Sequence, residues 1–368
     1  MSPRMPRSHA ITGLLAATSM ALFAMPPAEA KSKPTPHFNP ASLLKNLEKG
    51  AEALSNITFK VESRTTGTEH GGLGQGTAFL AKIKHSSGFI LPIIITNHHV
   101  ANTGGFTSPV INPHNHAEHW HTRTFTHPDH KLSLNGTLLF QLSSFCGMDK
   151  VADKDNIADF AVFWPDFDSM ATDADRAKLR QLYATAPLLN TQQKPIPYVA
   201  KRLAITAGYP ADIATGDLSI QPFIVTEYSG MNTLELSPYN HPTMAEAVFS
   251  AFPGASGSPI RDAKTNEIFA ILGTTKIAES KAFALPLENL KPFLEGIAIH
   301  FLRNPQTPFV STPSNAQHCQ GPSSTLGTMG LPVDILQDLI TQYPNNRALT
   351  YVQKTLLAPT QQHTELGR

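Results

Sequence analysis

Short apolar runs, spaced by turn-forming residues, dominate the chain between residues 57 and 165. Six of these runs have the length and the β-branched or aromatic content of strands: Ile57–Ser63, Thr77–Lys84, Phe89–Thr96, Trp120–Thr126, Thr137–Leu142 and Phe160–Trp164. Strand-like runs bounded by Gly, Pro, Asn and Asp are typical of all-β proteins. The pattern therefore predicts a first antiparallel barrel of six strands.

A second group of strand-like runs begins near residue 198. Its members are Arg202–Ala207, Phe223–Tyr228, Glu246–Ser250, Pro259–Arg261, Ile268–Gly273 and Ala282–Leu285. They predict a second barrel of six strands. The predicted fold is all-β, with two six-stranded antiparallel barrels and a few peripheral helices.

Helical spacing occurs only around and between these two groups. Asn39 followed by Pro40 is typical of a helix start, and apolar residues follow it at helical intervals. Four further helices are predicted from apolar spacing: Ser169–Tyr183, Leu287–Ile297, Val333–Tyr343 and Arg347–Leu357. The resulting division is a leader at 1–30, an extension with a helix at 31–56, a first barrel at 57–165, a linker with a helix at 166–197, a second barrel with a closing helix at 198–300, and a C-terminal extension at 301–368.

The leader has the pattern of a secretory signal peptide. Arg4 and Arg7 precede an apolar stretch from Ala10 to Met25, and Ala28-Glu29-Ala30 is a small-x-small cleavage site. We expect export to the periplasm or the medium of a bacterium. A membrane anchor is the alternative, but the apolar stretch is short for a membrane span.

Charge gives no argument for nucleic acid or membrane partners. The whole chain has 29 basic and 28 acidic side chains, and removal of the leader deletes two arginines and one glutamate. The remaining net charge of zero offers no electrostatic attraction for a polyanion.

Three separate motifs carry residues suited to nucleophilic catalysis. Ser256 lies in the glycine-rich run Phe-Pro-Gly-Ala-Ser-Gly-Ser-Pro at 252–259, and a serine hydroxyl needs a base to become a nucleophile. His98 and His99 end the run Ile-Ile-Ile-Thr-Asn-His-His-Val at 93–100, and Asp159 opens an apolar run. The order His, Asp, Ser is the order of one type of serine-protease triad.

Five motifs in this order resemble the trypsin-like serine peptidases of the chymotrypsin fold, including their HtrA/Deg-like and Glu-specific branches. The similar segments are Gly76-Thr77-Ala78-Phe79-Leu80, Thr96-Asn97-His98-His99-Val100, Asp159-Phe160-Ala161-Val162, Ala207-Gly208-Tyr209-Pro210 and Gly254-Ala255-Ser256-Gly257-Ser258-Pro259. The resemblance covers residues 57 to 300. No PDZ-like pattern follows, unlike in HtrA proteases.

The resemblance implies a serine endopeptidase that acts on polypeptides without a cofactor. It places the catalytic roles on His99, Asp159 and Ser256, with His98 as the alternative base. The alternatives to Asp159 are Asp149, Asp153 and Asp155. The backbone N–H groups of Gly254 and Ser256 would form the oxyanion hole.

The resemblance also locates the substrate pocket. Ser250 would lie at its base, with Gly273, Thr274 and Thr275 along its wall, which favours a small or apolar residue before the scissile bond. Ala255 stands where the digestive enzymes have an aspartate that pairs with a new N-terminus, so that activation switch is excluded.

Two other features leave alternatives open. Cys146 and Cys319 form an even pair, which in an exported protein is compatible with one disulfide or with two thiols. Half of the sixteen histidines lie between His98 and His130, and a Zn²⁺ or Cu²⁺ site would use the closely spaced His114, His116, His119 and His121. The rival functions are therefore a catalytically degenerate binding protein and a metal-binding periplasmic protein.

Overall fold

The computed structural model describes residues 40–64, 73–101, 122–143, 158–190, 202–210, 217–229, 233–238, 254–276, 281–304 and 331–355. None of the helices within these ranges is long and apolar enough to span a membrane.

Seven strands form the first sheet. They are β1 (Thr58–Arg64), β2 (Leu73–Lys84), β3 (Ile90–Thr96), β4 (Thr122–His127), β5 (Leu132–Ser143), β6 (Asp159–Asp166) and β7 (Leu188–Asn190). Their order is β1-β4-β5-β6-β3-β2-β7, and β1 also pairs with β2. That additional pairing closes β1 to β6 into an antiparallel ring, while β7 pairs with β2 in parallel.

The second sheet is a closed barrel of six strands. They are β8 (Arg202–Gly208), β9 (Ser219–Ser229), β10 (Thr233–Pro238), β11 (Pro259–Asp262), β12 (Ile268–Lys276) and β13 (Lys281–Pro286). The order around the barrel is β10-β13-β12-β11-β8-β9, and all of its pairings are antiparallel. The predicted fold of two six-stranded antiparallel barrels is confirmed.

Individual strands agree with the sequence pattern in most places. All six predicted strands of the first barrel are present, with ends that differ by up to five residues. In the second barrel, the predicted strand Glu246–Ser250 lies outside the described residues and stays a prediction, and the barrel contains β10. Neither β10 nor β7 was predicted.

Aromatic side chains fill the first barrel. Phe125 and Phe163 are fully buried and meet edge to face, with their ring centroids 5.2 Å apart. Gly136 on β5 makes room for them, since a Cβ there would lie 2.7 Å from a Phe125 ring carbon. The glycine is thus required by close packing within the strand.

Within the described ranges, six helices surround the sheets. They are α1 (Pro40–Ile57), α2 (His98–Ala101), α3 (Asp173–Thr185), α4 (Leu287–Arg303), α5 (Val333–Gln342) and α6 (Arg347–Thr355). Only α3 begins well away from its predicted start at Ser169. Asp166 accepts hydrogen bonds from the N–H groups of Asp168 and Ser169 and holds a separate 3-10 turn, and Thr172 then caps α3.

Helix α4 connects the end of the second barrel to the first barrel. Phe293 on α4 stacks on Phe140 of β5, with ring centroids 4.9 Å apart, and both side chains are fully buried. The C-terminal helix α5 packs on α4 at Gly296, where a Cβ would lie 2.8 Å from Leu339.

Truncation of Phe293 should therefore destabilise the whole domain. We expect Phe293→Ala to lower the free energy of unfolding by about 3–5 kcal/mol, because a fully buried ring is lost and a cavity remains. Leu302→Ala on the same helix is the matched control, since Leu302 is 44% exposed and should change stability by less than about 0.5 kcal/mol. Urea denaturation monitored by fluorescence measures both, and equal losses would contradict the role of α4.

Candidate active site

The first part of the site is a histidine–aspartate pair at one end of the first barrel. Strands β3 and β6 are antiparallel, with Thr96 opposite Ala161, so the end of β3 lies beside the start of β6. The end of β3 leads into α2, which carries His99, and Asp159 begins β6. The topology therefore brings the imidazole and the carboxylate together although 60 residues separate them.

Two hydrogen bonds from the same histidine hold the carboxylate. The His99 backbone N–H donates to Asp159 Oδ1 at 3.0 Å, and the ring Nδ1–H donates to Oδ2 at 2.6 Å. The side-chain amide of Asn97 donates to the Asp159 backbone carbonyl at 2.9 Å. Since Nδ1 is engaged, Nε2 is the ring nitrogen left to accept a proton. The His99 side chain is 30% exposed, whereas Asp159 is fully buried.

The pair shifts both pKa values in the directions of a charged couple. Burial alone lowers the pKa of His99, but the charge and the hydrogen bond of Asp159 outweigh burial, and the net pKa lies above 6.5. Burial alone raises the pKa of Asp159, but the charge and hydrogen bonds of His99 hold it below its ordinary value. Asp159 is therefore a carboxylate at neutral pH, and His99 is a stronger base than a free imidazole.

His98 has a different environment. Its side chain is only 4% exposed, and burial lowers its pKa to about 4 against the opposing charge of Asp159. An imidazole with this pKa is a weak base and stays neutral near pH 7. Asp159 is bonded to His99, which is the histidine that the motif indicates, and the catalytic role of His99 stays a prediction.

The second part of the site is the turn that carries Ser256. Gly254 and Gly257 have φ values of +95° and +91°, in the region that favours glycine. A Cβ on Gly257 would also lie 1.9 Å from the carbonyl oxygen of Thr77 and 2.5 Å from Thr96 Oγ1. Glycine thus allows the turn to touch the end of β3, the strand that leads into α2.

The hydroxyl of Ser256 donates to the backbone carbonyl of Gly273 at 2.8 Å. The register between β12 and β13 passes from Leu272 to Thr274, so Gly273 lies at a bulge. Among the described residues, Ser256 makes no hydrogen bond to His99. The structure thus shows a direct hydrogen bond between His99 and Asp159, whereas the Ser256 hydroxyl bonds to the carbonyl of Gly273.

The two amides predicted to bind an oxyanion lie in the same turn. The carbonyl of Ser256 accepts from the Thr77 N–H at 2.8 Å, and the carbonyl of Gly254 accepts from the Thr77 hydroxyl at 2.9 Å. Within the described part of the chain, the N–H groups of Gly254 and Ser256 have no acceptor. Their role in binding an oxyanion stays a prediction.

The predicted substrate-binding residues lie on β12 or outside the described residues. Gly273, Thr274 and Thr275 belong to β12, whereas Ser250 is among the residues that are not described. Pairing between β12 and β11 ends at Ile271, while pairing with β13 continues to the end of β12. On that edge the N–H and carbonyl of Leu272 bond to Ser258 and Gly257 of the turn, and as far as the chain is described residues 274–276 have no partner strand there.

Several predictions fall outside the described residues and stay predictions. They are the leader at 1–30, the disulfide between Cys146 and Cys319, and the metal site at His114, His116, His119 and His121. In the ranges that are described, no group of three His, Cys, Asp or Glu side chains is arranged to hold a metal ion.

The sequence motifs contained further site residues that were not singled out. Thr77, Thr96 and Asn97 all lie within the similar segments, but the sequence assigned none of them a role in the site. Their side chains bond to the backbone of the site, and the sequence signal was a run of hydroxyl and amide side chains beside the candidate residues.

No family model and no curated protein matches this sequence. Among solved structures, the chain is similar to a serine endoprotease from Yersinia pestis, with 14% identity, a TM-score of 0.40, and 72% of this chain and 68% of the other covered. It is also similar to an inactive mutant form of Rv3671c from M. tuberculosis H37Rv, with 13% identity, a TM-score of 0.39, and coverage of 73% and 98%. Since both TM-scores are below 0.5, neither likeness carries a conclusion about function.

The topology defines the fold class without these comparisons. Two closed six-stranded antiparallel barrels, with a histidine–aspartate pair in the first and a serine-bearing turn in the second, form a chymotrypsin-like fold.

The electrostatic coupling of His99 and Asp159 is open to a direct test. We expect Asp159→Asn to lower the pKa of His99, because both effects that raise it disappear while burial remains. Asp166→Asn, at the other end of β6, is the matched control and should leave the pKa of His99 unchanged. NMR titration of the imidazole resonances measures both, and an unchanged pKa in Asp159→Asn would contradict the coupling.

Proposed function

We propose that this protein is a serine endopeptidase. One observation carries the proposal: a buried carboxylate orients His99 through Nδ1, at the strand end against which the Ser256 turn packs. This arrangement leaves Nε2 as the ring nitrogen that can act as a base, and nucleophilic catalysis by serine requires such a base.

The reaction would begin when the Ser256 hydroxyl breaks its hydrogen bond to the Gly273 carbonyl and donates to His99 Nε2 instead. Nε2 takes the proton as Oγ bonds to the carbonyl carbon of the scissile peptide, and the carbonyl π electrons move to oxygen. The tetrahedral intermediate expels the amine, which takes the proton from Nε2, and an acyl-enzyme remains. Water repeats these steps and releases the acid. Asp159 stabilises the imidazolium throughout.

The N–H groups of Gly254 and Ser256 would receive the negative charge on the oxygen. The carbonyls next to these amides are bonded to Thr77, which holds the turn in place. Loss of one such donor typically costs about 2.7–4 kcal/mol of transition-state stabilisation.

The substrate would be an extended polypeptide. The edge of β12 beyond Gly273, which has no partner strand within the described residues, offers backbone groups for strand addition. A preference for a small or apolar residue before the scissile bond, and export of the mature chain, both rest on the sequence alone.

The bond between Ser256 and Gly273 favours one alternative. In a binding protein with a degenerate site, the Ser256 hydroxyl would stay on the carbonyl of Gly273. That hydrogen bond is the one present in the structure. The endopeptidase and the binding protein differ in their reaction with serine-directed reagents.

Ser256→Ala should abolish both peptide hydrolysis and labelling by a fluorophosphonate. We expect a loss in kcat of ~10⁶-fold, because the nucleophile is absent. Ser87→Ala, in an exposed turn, is the matched control and should be labelled once per chain like the parent. Intact-mass spectrometry measures the adduct, and a parent protein that takes no label at any pH would support the binding protein instead.

Activity should require neutral His99, and the acidic limb should reflect its raised pKa. The base works when unprotonated, so activity is present at high pH and falls as the pH drops through a value above 6.5. In Asp159→Asn the limb should move to lower pH, and kcat should fall by about 10⁴-fold, as in the template triad. The profile of kcat/KM against pH measures the limb, and an unmoved limb would assign it to another group.

A further inference from the structure

We propose that Thr77 is a positioning residue that aims both oxyanion-binding amides. The inference rests on the proposed peptidase function and adds to the triad a residue that touches neither the substrate nor the reacting atoms. It follows from four hydrogen bonds that converge on one side chain and its backbone.

Thr77 lies on β2 in the first barrel, is fully buried, and bonds to the Ser256 turn twice. Its backbone N–H donates to the Ser256 carbonyl at 2.8 Å, and its hydroxyl donates to the Gly254 carbonyl at 2.9 Å. These bonds fix the peptide groups that follow Gly254 and Ser256. The Ser256 amide belongs to the peptide between those two fixed groups, so its direction is set from both sides.

The Gly254 amide depends on the hydroxyl bond more strongly. Gly254 has φ +95° and no Cβ, so its own sterics do not select one orientation of the preceding peptide. The bond from Thr77 to its carbonyl supplies a fixed point on the other side of the same Cα. Without that bond, the carbonyl of Gly254 loses its anchor to the first barrel, and we expect the direction of the Gly254 amide to be less well defined.

The neighbouring groups determine where the hydroxyl proton of Thr77 points. The Tyr209 backbone N–H donates to Thr77 Oγ1 at 2.9 Å, so Oγ1 is the acceptor in that bond and its proton goes to Gly254. The Thr77 carbonyl accepts from Thr96 Oγ1 at 2.6 Å. Thr77 therefore links the strand that leads to His99, the strand end at Tyr209 in the second barrel, and the Ser256 turn.

Three substitutions separate the hydroxyl from the shape of the side chain. Thr77→Val keeps the branched shape and loses the hydroxyl, Thr77→Ser keeps the hydroxyl, and Thr77→Ala removes both and leaves space. We expect Thr77→Val and Thr77→Ala to lose about tenfold or more in kcat with KM little changed, which is less than the 10²–10³ typical of removing a donor outright. Thr77→Ser should stay within about threefold of the parent.

A merely structural role is distinguished by two inhibitors with the same peptide sequence. A peptide boronic acid forms a tetrahedral adduct and needs the oxyanion donors, whereas the corresponding peptide amide does not. We expect Thr77→Val to weaken the boronic acid by the same factor as kcat and to leave the affinity of the amide and the NMR-measured pKa of His99 unchanged.

The results distinguish a failure of the peptidase function from a failure of the positioning role of Thr77. A parent that neither hydrolyses peptides nor takes a fluorophosphonate label overturns the peptidase function and this inference with it. An active parent with Thr77→Val at the parental kcat, or with both inhibitors weakened equally, overturns this inference alone. If Thr77→Val does not fold, the same comparison of Thr77→Ala with Thr77→Ser decides, and equal kcat values in those two variants overturn it.

Discussion

The carboxylate of Asp159 has no exposed surface, and its separation from water constrains the chain around it. Removing an ion from water costs several kcal/mol unless hydrogen bonds replace the lost hydration. Here His99 supplies two of them, one from its backbone and one from its ring. The chain must therefore turn immediately after β3, and the four-residue α2 is too short to form without such support.

Polar and apolar contacts make different contributions to the junction between the two barrels. The stacked rings of Phe140 and Phe293 bury large apolar surfaces, which supply energy but tolerate small shifts. Beside the site, the junction is made by Thr77, Tyr209 and the Ser256 turn through hydrogen bonds. Hydrogen bonds weaken steeply with misalignment, so this junction fixes directions that apolar packing alone leaves loose.

The fold was predictable where apolar patterning and turn residues agree, and less so where pairing alone makes a strand. The buried run that ends at Thr96 has both signals, and its strand was predicted to within one residue. The segment Thr233–Pro238 has few β-branched residues, and it becomes β10 through pairing with β9 and β13. Strand β7 has three residues, which are too few to show a periodic pattern. Within the described residues, its pairing with β2 is what makes it a strand.

The candidate site divides in the same way. His99, Asp159 and Ser256 could be named as candidates because each lies in a short motif with a distinctive composition, and the structure shows the hydrogen bond between the first two. The contacts of Thr77 were not, because its partners Gly254 and Tyr209 lie 177 and 132 residues away, and backbone acceptors leave no trace in a sequence. Spacing predicts which side chains share an element, whereas these bonds depend on how the two barrels meet.

The direction of the Ser256 hydroxyl was also beyond prediction, because one proton has two acceptors within the same site. In the structure, the carbonyl of Gly273 accepts this proton. The other acceptor is His99 Nε2, which the proposed peptidase requires. The turn itself is fixed by its bonds to Thr77 and Leu272, so the side-chain torsion of Ser256 decides which acceptor the hydroxyl faces. The hydroxyl makes a hydrogen bond in either direction, and a typical hydrogen bond contributes about 0.5–1.5 kcal/mol to stability. The proposed peptidase therefore requires the hydroxyl to leave the Gly273 carbonyl, whereas the degenerate binding protein does not.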